Sequence, residues 1–392
     1  MPTFELPEPQ PDPLLQLISR YRADTRANKI DLGVGVYRDD SANTPIMNAV
    51  KEAEYRLQNN QDSKSYLGLT GDIEFVEAIG DLLFEGCDTT AMGAQTPGGS
   101  GALRLAAELY KTAHPNGTLI IGTPTWPNHI PLTESTGLRN TTYTYFNRST
   151  QTIDFEAMLD AADAASPDDA ILLHGCCHNP TGADLSFEQW QQLVELINQR
   201  QLIPIIDLAY HGLGRGLEQD LQATRLVATR CPQALVASSC SKNFGLYRER
   251  TGAVHMAAHD SAIASRAQAY FGQIARKIYS MPPDHGAAVT RIILQDSSLR
   301  QMWREELDSM VARVNSLRTA MAEADSKLGF VASQQGMFSL LPLQPAQVTS
   351  LIDDHGVYLA GDGRINVAGC QMSQINQFTA ALEAVGFNGA DN

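Results

Sequence analysis

The stretch Ser238-Ser-Cys-Ser-Lys242-Asn-Phe-Gly245 places one lysine among small hydroxyl and thiol side chains. It follows an apolar run, residues 234–237, of the kind that forms a buried strand. A lysine at the mouth of a buried strand is poorly solvated, which lowers the pKa of its amine and lets it attack carbonyl carbon. Lys242 is therefore a candidate nucleophile, although this stretch alone equally fits a surface lysine that closes a loop.

Asp207 is a second candidate, because it ends the apolar run 203–207. Burying a carboxylate costs free energy unless the group is paired with a cation. A protonated pyridine nitrogen is one such partner, and the carboxylate would stabilise its proton. The alternative is an aspartate that caps the next turn. In the loop Thr123-Pro-Thr-Trp-Pro-Asn-His129, His129 could bond to Asp207, and Trp126 could stack on a flat cofactor or simply pack.

A glycine-rich turn, Gly98-Gly-Ser-Gly101, precedes an amphipathic helical pattern over residues 102–112. A helix N-terminus presents free N–H groups and the positive end of its dipole, which suits a phosphate. The spacing does not match the dinucleotide fingerprint Gly-x-Gly-x-x-Gly, which disfavours a nucleotide-binding dehydrogenase. A plain turn is the alternative.

Two arginines, Arg276 and Arg364, could each grip a carboxylate, since the guanidinium binds carboxylates bidentately and stays charged. An amino dicarboxylic acid has two carboxylates and would need one arginine for each. The alternative is that both arginines form ion pairs on the protein surface. The cluster Cys176-Cys-His178 lacks the spaced ligands of a zinc site, and we expect no metal. Asn179, which follows it, could donate its amide to a cofactor oxygen.

Strand and helix patterns alternate along most of the chain, which predicts an α/β fold with a mostly parallel sheet covered by helices. The carboxyl ends of such strands form the ligand-binding edge, and His174, Asp207 and Lys242 all lie at strand ends. A long helical pattern, residues 299–327, leads into shorter elements. We predict an N-terminal arm and part of a small domain over 1–44, a large domain over 45–309, and the rest of the small domain over 310–392.

Composition describes an ordinary globular chain of 392 residues, 43% hydrophobic and 19% charged. The net charge of −15 disfavours binding to nucleic acid or to an anionic membrane, and no window is apolar enough to span a bilayer. The first residues lack the basic start and apolar run of a signal peptide. With six scattered cysteines, we expect free thiols and a cytoplasmic location.

Six motifs, taken together, resemble the class I aminotransferases of the aspartate and aromatic-amino-acid branch. The motifs are Gly98-Gly-Ser-Gly-Ala-Leu-Arg104, Asn179-Pro-Thr-Gly182, Asp207-Leu-Ala-Tyr210, Ser239-Cys-Ser-Lys-Asn-Phe-Gly245, Arg250 and Gly363-Arg-Ile-Asn-Val-Ala-Gly369. The resemblance runs from about residue 13 to 388. It implies pyridoxal 5′-phosphate (PLP) fold type I, with a seven-stranded sheet in the large domain and a smaller α/β domain built from both chain ends.

The resemblance also implies catalytic roles. Lys242 would be the Schiff-base lysine and proton shuttle, and Asp207, supported by His129, would pair with the pyridinium nitrogen. Tyr210 and Asn179 would bond the phenolic oxygen of PLP.

Further contacts implied by the resemblance concern the phosphate and the substrate. The phosphate would be held by Gly99, Ser100, Ser239, Arg250 and the partner subunit's Tyr66. Six residues would contact substrate: Gly35, Trp126, Asn179, Arg276, Arg364 and Phe338. Trp126 would also stack on the cofactor ring, and Arg276 would come from the partner subunit. A homodimer with shared active sites is therefore implied.

The expected reaction moves the α-amino group of aspartate or of an aromatic amino acid to 2-oxoglutarate by ping-pong chemistry. Val36, Thr44 and Ser280 fit the aspartate-specific members, whereas Ser100 and Met281 depart from them toward a looser, more apolar pocket. We therefore expect dual acceptance. The alternatives are a strict aspartate aminotransferase, another fold type I PLP enzyme such as a lyase or decarboxylase, and a non-catalytic protein on the same fold.

Overall fold

The computed structural model describes residues 4, 6, 8 and 11–390. Within this part of the chain, α-helices and β-strands alternate as the sequence patterns predict. The helices are α1 (Pro13–Ala23), α2 (Asn48–Asn60), α3 (Ile73–Leu83), α4 (Gly98–Ala113), α5 (His129–Glu134), α6 (Phe155–Asp163), α7 (Phe187–Arg200), α8 (Leu217–Arg230), α9 (Ser261–Ile278), α10 (His285–Gln295), α11 (Ser297–Ala324), α12 (Gly329–Ser333), α13 (Pro345–Asp353) and α14 (Ile375–Ala384). The strands are β1 (Ile30–Asp31), β2 (Thr90–Pro97), β3 (Thr118–Thr123), β4 (Arg139–Thr144), β5 (Phe146–Asn147), β6 (Thr152–Ile153), β7 (Ala170–His174), β8 (Ile203–Leu208), β9 (Gln233–Ser239), β10 (Thr251–Ala258), β11 (Phe338–Leu340), β12 (Val357–Tyr358) and β13 (Arg364–Asn366).

Seven strands form the central sheet, in the order β2-β10-β9-β8-β7-β3-β4. All neighbours pair in parallel except β10, which runs antiparallel to both β2 and β9. The prediction of a mostly parallel seven-stranded sheet is therefore confirmed. Register places His174 beside Asp207, and Asp207 beside Ala237 near the end of β9. The strand ends thus bring the predicted site residues together at the carboxyl edge of the sheet.

Helices cover both faces of this sheet, because the parallel strands are apolar on both sides. The strand β8, with sequence Ile-Pro-Ile-Ile-Asp-Leu, is buried at every position. Among the covering helices, α7 begins at a capping box formed by Ser186 and Gln189. It then buries Trp190, Leu193, Val194 and Ile197, the spacing of a single apolar helix face.

A smaller α/β unit joins the two ends of the chain. The strand β1 pairs in parallel with β12, with Ile30 opposite Val357, and β11 pairs antiparallel with β13. A separate apolar core fills this unit, and its members include Leu17 from α1 and Leu317 from α11. The helix α11 connects the two cores, since its earlier residue Trp303 is buried in the core of the large sheet.

Several local expectations differ from the structure. The stretch Ile30-Asp-Leu-Gly-Val-Gly-Val-Tyr37 has the apolar residues of a strand, but only Ile30–Asp31 form one. The long helix spans Ser297–Ala324 rather than 299–327, and α4 begins at Gly98 itself rather than after the glycine turn. The extended arm expected over residues 1–12 lies largely outside the described residues. The domain boundaries at residues 44 and 309 stay a prediction.

No helix in the described part of the chain is long and apolar enough to cross a membrane. All six cysteines lie within residues 11–390 and carry free thiols. The expectation of free thiols therefore agrees with the structure.

Candidate active site

A cavity of about 140 Å³ opens at the carboxyl edge of the sheet. It is bounded by the start of α4, the loop after β3, and the ends of β7, β8 and β9. Nine of the residues that the sequence predicted line it: Gly99, Ser100, Trp126, Asn179, Asp207, Tyr210, Ser239, Lys242 and Arg250. The structure therefore brings the expected cofactor residues of one chain to a single site.

Lys242 lies just after β9, with its amine 4.8 Å from the centre of the Tyr210 ring. The surrounding protein excludes water from this amine and lowers the pKa of Lys242 to about 8. Asp207 opposes the shift, whereas the positive charge of Arg250 adds to it. A substantial fraction of the amine is thus neutral near physiological pH, as a nucleophile or general base requires.

Asp207 is 6% exposed and lies at the end of β8. Its Oδ2 atom is 3.0 Å from Nε2 of the buried His129, and Nδ1 of His129 is 2.7 Å from the Thr125 hydroxyl. A carboxylate can only accept, so Nε2 of His129 donates to it. Burial raises the pKa of Asp207, but His129, His174 and Lys242 together hold it below its usual value. Asp207 is therefore a buried anion ready to pair with a cation.

His174 lies beside Asp207 in the sheet, and its ring centre is 5.1 Å from that of His129. Burial lowers the pKa of His174 to about 3, so the ring is neutral. Its Nε2 atom is buried without a hydrogen-bond partner among the described residues. His174 also lines a cavity of about 20 Å³, large enough for a single water molecule.

The opposite wall of the main cavity has the features of a phosphate site. Gly98 starts α4 with φ +72°, and a Cβ there would lie 2.6 Å from Nη2 of Arg250. A Cβ on Gly99 would lie 3.1 Å from Cβ of Ser239. The glycines thus let the helix N-terminus approach Arg250 and two serine hydroxyls, Ser239 and Ser241, which suits a bound phosphate. Ser241, which accepts from Arg250 at 3.4 Å, is a lining residue that the sequence analysis missed.

Asn179, Tyr210 and Arg364 form a contiguous polar group beside the cavity. The Asn179 amide donates to the Tyr210 hydroxyl at 3.3 Å, and Arg364 Nη1 donates to Asn179 Oδ1 at 3.3 Å. Burial raises the pKa of Tyr210, although Arg364 opposes the shift. Within the described residues Arg364 has no carboxylate within 4.0 Å, and its Nε atom is buried without a partner. Its guanidinium is therefore available for an anionic ligand.

Phe338 and Gly35 lie against this group. The guanidinium of Arg364 is 4.6 Å from the centre of the Phe338 ring, and a Cβ on Gly35 would lie 2.9 Å from Phe338 Cζ. A wider cleft of about 740 Å³ lies next to the cavity, lined by Arg364, by Trp126 and by Leu14 of α1. Trp126 lines both spaces, so the cofactor-sized cavity and the cleft are neighbours.

Tyr66 and Arg276, two of the predicted residues, line neither the cavity nor the cleft within one chain. Tyr66 is 91% exposed, between α2 and α3, and Arg276 is exposed in the last turn of α9. The two segments lie side by side, because the backbone N–H of Leu67 donates to Sδ of Met281 at 3.2 Å. Both side chains project from the surface of the single chain.

The described residues fit PLP. A lysine of lowered pKa, a buried aspartate anion, a tryptophan and a glycine-lined anion site surround one cavity, which matches the aldehyde, the ring nitrogen, the aromatic face and the phosphate of that cofactor. A metal was not expected. The groups His129–His174–Asp207 and Cys176–Cys177–Asp220 bring possible ligand atoms within 4.8 Å of one another. In the first, His129 and Asp207 already bond to each other, and in the second Asp220 accepts three backbone N–H groups.

The family model for aminotransferases of class I and II matches residues 27–382. The chain is 48% identical to a tyrosine aminotransferase of Rhizobium meliloti, over 93% of this chain and 95% of that protein. It is 40% identical to an aspartate aminotransferase of Escherichia coli K12, over 95% and 97%. A crystal structure of an aromatic-amino-acid aminotransferase from Burkholderia pseudomallei, covalently bound to pyridoxal phosphate, superposes with a TM-score of 0.94. That structure is 35% identical and covers 98% of this chain and 100% of its own.

The chain belongs to the class I and II aminotransferases. It is an aminotransferase of the aspartate and aromatic branch, and its cofactor is pyridoxal 5′-phosphate. The predicted family, enzyme class and cofactor are confirmed.

Proposed function

We propose that this aminotransferase takes the α-amino group from both aspartate and aromatic amino acids and passes it to 2-oxoglutarate. The observation that carries the proposal is the cavity that unites Lys242 with Asp207 beside Arg364, an arginine without a carboxylate partner in the described structure. Relatives named for tyrosine and for aspartate, at 48% and 40% identity over nearly the whole chain, support both halves of the proposed specificity.

The chain's own residues would hold the cofactor in a fixed orientation. PLP, when bound, supplies an aldehyde that takes up the amino group and a protonated ring that withdraws electrons from the substrate. Asp207, kept ionised by His129, would hold the proton on the ring nitrogen. Asn179 and Tyr210 would donate to the ring oxygen, and Trp126 would cover the ring face. The N–H groups of Gly99 and Ser100, with Ser239 and Arg250, would bind the phosphate.

Lys242 would hold the cofactor until a substrate amino group displaces its amine, and the freed amine would then move the substrate proton. Its amine, with the pKa lowered to about 8, is neutral often enough at pH 7 to 8 to accept a proton from the substrate Cα. The same nitrogen, once protonated, would return that proton as a general acid.

Arg364 would bind the α-carboxylate that every amino-acid substrate carries. Its guanidinium donates to Asn179 Oδ1 at 3.3 Å and to the Gly33 carbonyl at 3.4 Å and faces the Phe338 ring, but it has no anionic partner among the described residues, which a carboxylate would supply. Gly35 leaves room beside that ring. This arrangement would orient the Cα–H bond toward Lys242.

A homodimer would complete the site. Tyr66 and Arg276 are exposed on the single chain, and neither reaches its own cavity. We propose that the partner subunit's Tyr66 joins the phosphate site and that the partner subunit's Arg276 binds the distal carboxylate of aspartate. The exposed apolar residues Leu67 and Leu69, next to Tyr66, would be buried by the same association.

Aromatic donors would occupy the space near the partner's Arg276 when that side chain turns away. Ser100 is smaller than the threonine of many aspartate-specific members, and Met281 replaces an amide with an apolar thioether. Met281 contacts the backbone of Leu67, so its apolar side chain belongs to the surface that would face a partner's cavity. A strict aspartate aminotransferase is the second candidate, favoured by the presence of Arg276 itself.

We further propose that segments 1–44 and 310–392 act as a small domain against the large domain 45–309, and that the enzyme works in the cytoplasm. The pairing of β1 with β12 supports the first of these proposals. Limited proteolysis would test the boundaries, and fractionation of the source cells would test the location.

A donor panel tests the proposed specificity. Aspartate, phenylalanine, tyrosine and tryptophan would each be supplied with 2-oxoglutarate, and kcat/KM would be measured for each. We expect aspartate and at least two aromatic donors to lie within about 100-fold of each other. Fast aspartate turnover with negligible aromatic turnover would instead establish the strict aspartate enzyme.

A further inference from the structure

Arg318 is a buried cation that the proposed mechanism does not use. It lies on α11 and is 1% exposed. Within the described residues no carboxylate lies within 4.0 Å of its guanidinium, and every hydrogen bond goes to a neutral oxygen. The acceptors are the carbonyls of Val331, Gln335, Gly336 and Phe338 and the hydroxyl of Ser339.

Six hydrogen bonds join the guanidinium to residues 331–339, and three of them are 2.9 Å or shorter. The distances are 2.6 Å to the Phe338 carbonyl, 2.7 Å to Gly336 and 2.9 Å to the Ser339 hydroxyl. Asp184 is near enough to favour the charged guanidinium but does not bond to it, and burying a guanidinium without a directly bonded anion is costly, so an apolar side chain of similar volume would usually be tolerated. Burial lowers the pKa of Arg318 to about 10, so the group is still charged at neutral pH. The buried guanidinium therefore binds the backbone of residues 331–338 rather than a carboxylate.

The other side of this segment packs against the loop that carries Asn179. A Cβ on Gly336, which has φ +73°, would lie 2.4 Å from Cβ of Cys177. The backbone N–H of Gln335 donates to the Gly182 carbonyl at 2.6 Å. The segment is thus held between Arg318 on one side and the Cys177–Gly182 loop on the other, with little room to shift.

The ring of Phe338 extends from this segment to Arg364 and Tyr210. It lies 4.6 Å from the Arg364 guanidinium and forms an edge-to-face contact with Tyr210 at 5.7 Å between ring centres. Any displacement of the Phe338 backbone would therefore move the surface against which Arg364 rests. Arg318 itself does not line the cavity or the cleft.

We propose that Arg318 is a positioning residue for the α-carboxylate site. It fixes the backbone of Gln335–Phe338 from behind, so that Phe338 holds the Arg364 guanidinium where the substrate carboxylate arrives. The proposal rests on the proposed role of Arg364. It predicts that Arg318 governs the affinity for every carboxylate substrate alike, whatever its side chain.

The test compares Arg318→Met and Arg318→Lys with the wild-type holoenzyme. We expect Arg318→Met to raise KM at least 10-fold for both aspartate and phenylalanine, with kcat changed less than threefold. The dissociation constants of two unreactive carboxylates, maleate and 3-phenylpropionate, should rise by similar factors when followed by absorbance of the bound cofactor. Arg318→Lys keeps the charge and some of the donors, so its values should fall in between.

Leu317→Ala is the matched control for lost stability, because Leu317 is the adjacent residue and is 1% exposed in the core of the small unit. It should lower the thermal unfolding midpoint and leave KM and both dissociation constants unchanged. If Arg318→Met does not fold, Ser339→Ala removes the single side-chain acceptor of Arg318 and should raise KM about twofold to threefold.

Arg364→Lys separates this inference from the proposed function. If Arg364→Lys leaves KM and carboxylate binding intact, the role of Arg364 is wrong and the inference fails with it. If Arg364→Lys weakens binding but Arg318→Lys and Ser339→Ala bind carboxylates as tightly as the wild type, Arg318 is only a structural residue and the inference alone is overturned.

Discussion

Replacing Lys242 with methionine should stabilise the cofactor-free protein, although it removes the amine that we propose for catalysis. The surrounding protein lowers the pKa of Lys242 from 10.5 to about 8. One pH unit corresponds to about 1.36 kcal/mol, so a protonated Lys242 costs the folded state about 3 kcal/mol. Methionine has a similar shape and no charge, and it therefore removes this cost.

The sign of the pH dependence follows from the two pKa values. Because the folded pKa lies below the unfolded one, the unfolded chain holds more protons at Lys242 between pH 8 and 10.5. The cost is complete below pH 8 and disappears above pH 10.5, where the amine is neutral in both states. The stability advantage of Lys242→Met should therefore be about 3 kcal/mol at pH 7 and less than about 1 kcal/mol at pH 10.

Urea unfolding of the two cofactor-free proteins at pH 7 and pH 10 measures this difference. Protein concentration must be equal in all samples, because association between subunits would add to the apparent stability. Packing changes at the methionine are the same at both pH values and cancel in the comparison. Lys51→Met, at an exposed position of α2, is the control and should show no such pH-dependent difference.

An equal stability difference at pH 7 and pH 10 would refute the argument. It would mean that the folded protein does not depress the pKa of Lys242, and that the amine is charged in the resting cavity. The proposal that Lys242 acts as a ready nucleophile would then lose its electrostatic basis.

Three further predictions concern other parts of the molecule. Arg276→Asp should lower kcat/KM for aspartate at least 100-fold but for phenylalanine less than 10-fold; equal losses in the two assays would make Arg276 structural. Gly98→Ala should weaken PLP binding, measured by equilibrium dialysis, because its Cβ would lie 2.6 Å from Arg250 and its φ of +72° disfavours alanine; unchanged affinity would contradict the phosphate site. Trp303→Phe removes the 2.8 Å hydrogen bond to the Asn243 carbonyl and should cost about 1–3 kcal/mol in urea unfolding, whereas a loss below about 0.5 kcal/mol would mean that water replaces the indole.

The central strands of the sheet could be predicted from sequence because burial on both faces leaves a continuous apolar run. The run 170–174 coincides with β7, and 203–207 falls one residue short of β8. The two strands at the edges of the sheet, β2 and β4, lack such a continuous apolar run. Helices cover an edge strand only in part, so its residues need not be apolar. The strand β4 has the sequence Arg-Asn-Thr-Thr-Tyr-Thr, and four of its six residues are exposed. It therefore lacks the apolar run that would predict a strand.

Those residues of the candidate site that lie within recognisable sequence motifs could be predicted. The motifs around Lys242 and Asp207 name residues that line one cavity. Arg318 could not be found in this way, because an arginine within a long charged helix is normally solvated. Its role depends on the carbonyl oxygens of residues 331–338. Every residue type has the same backbone carbonyl, so the sequence does not indicate which of them bind an arginine. The positions of Tyr66 and Arg276 likewise depend on a second chain, so no pattern within one chain locates their partners.

The parallel pairing of Ile30–Asp31 with Val357–Tyr358 has a consequence for synthesis of the protein. The first strand of the small unit is made early but finds its partner only after residue 358 has left the ribosome. At about 5–20 residues per second, that delay is roughly 15–65 s. During this time Leu17, Ile30 and Leu32, which end in one apolar core, have no core to enter. The apolar residues of the N-terminal segment therefore wait longer between synthesis and burial than those that the C-terminal segment adds to the same core.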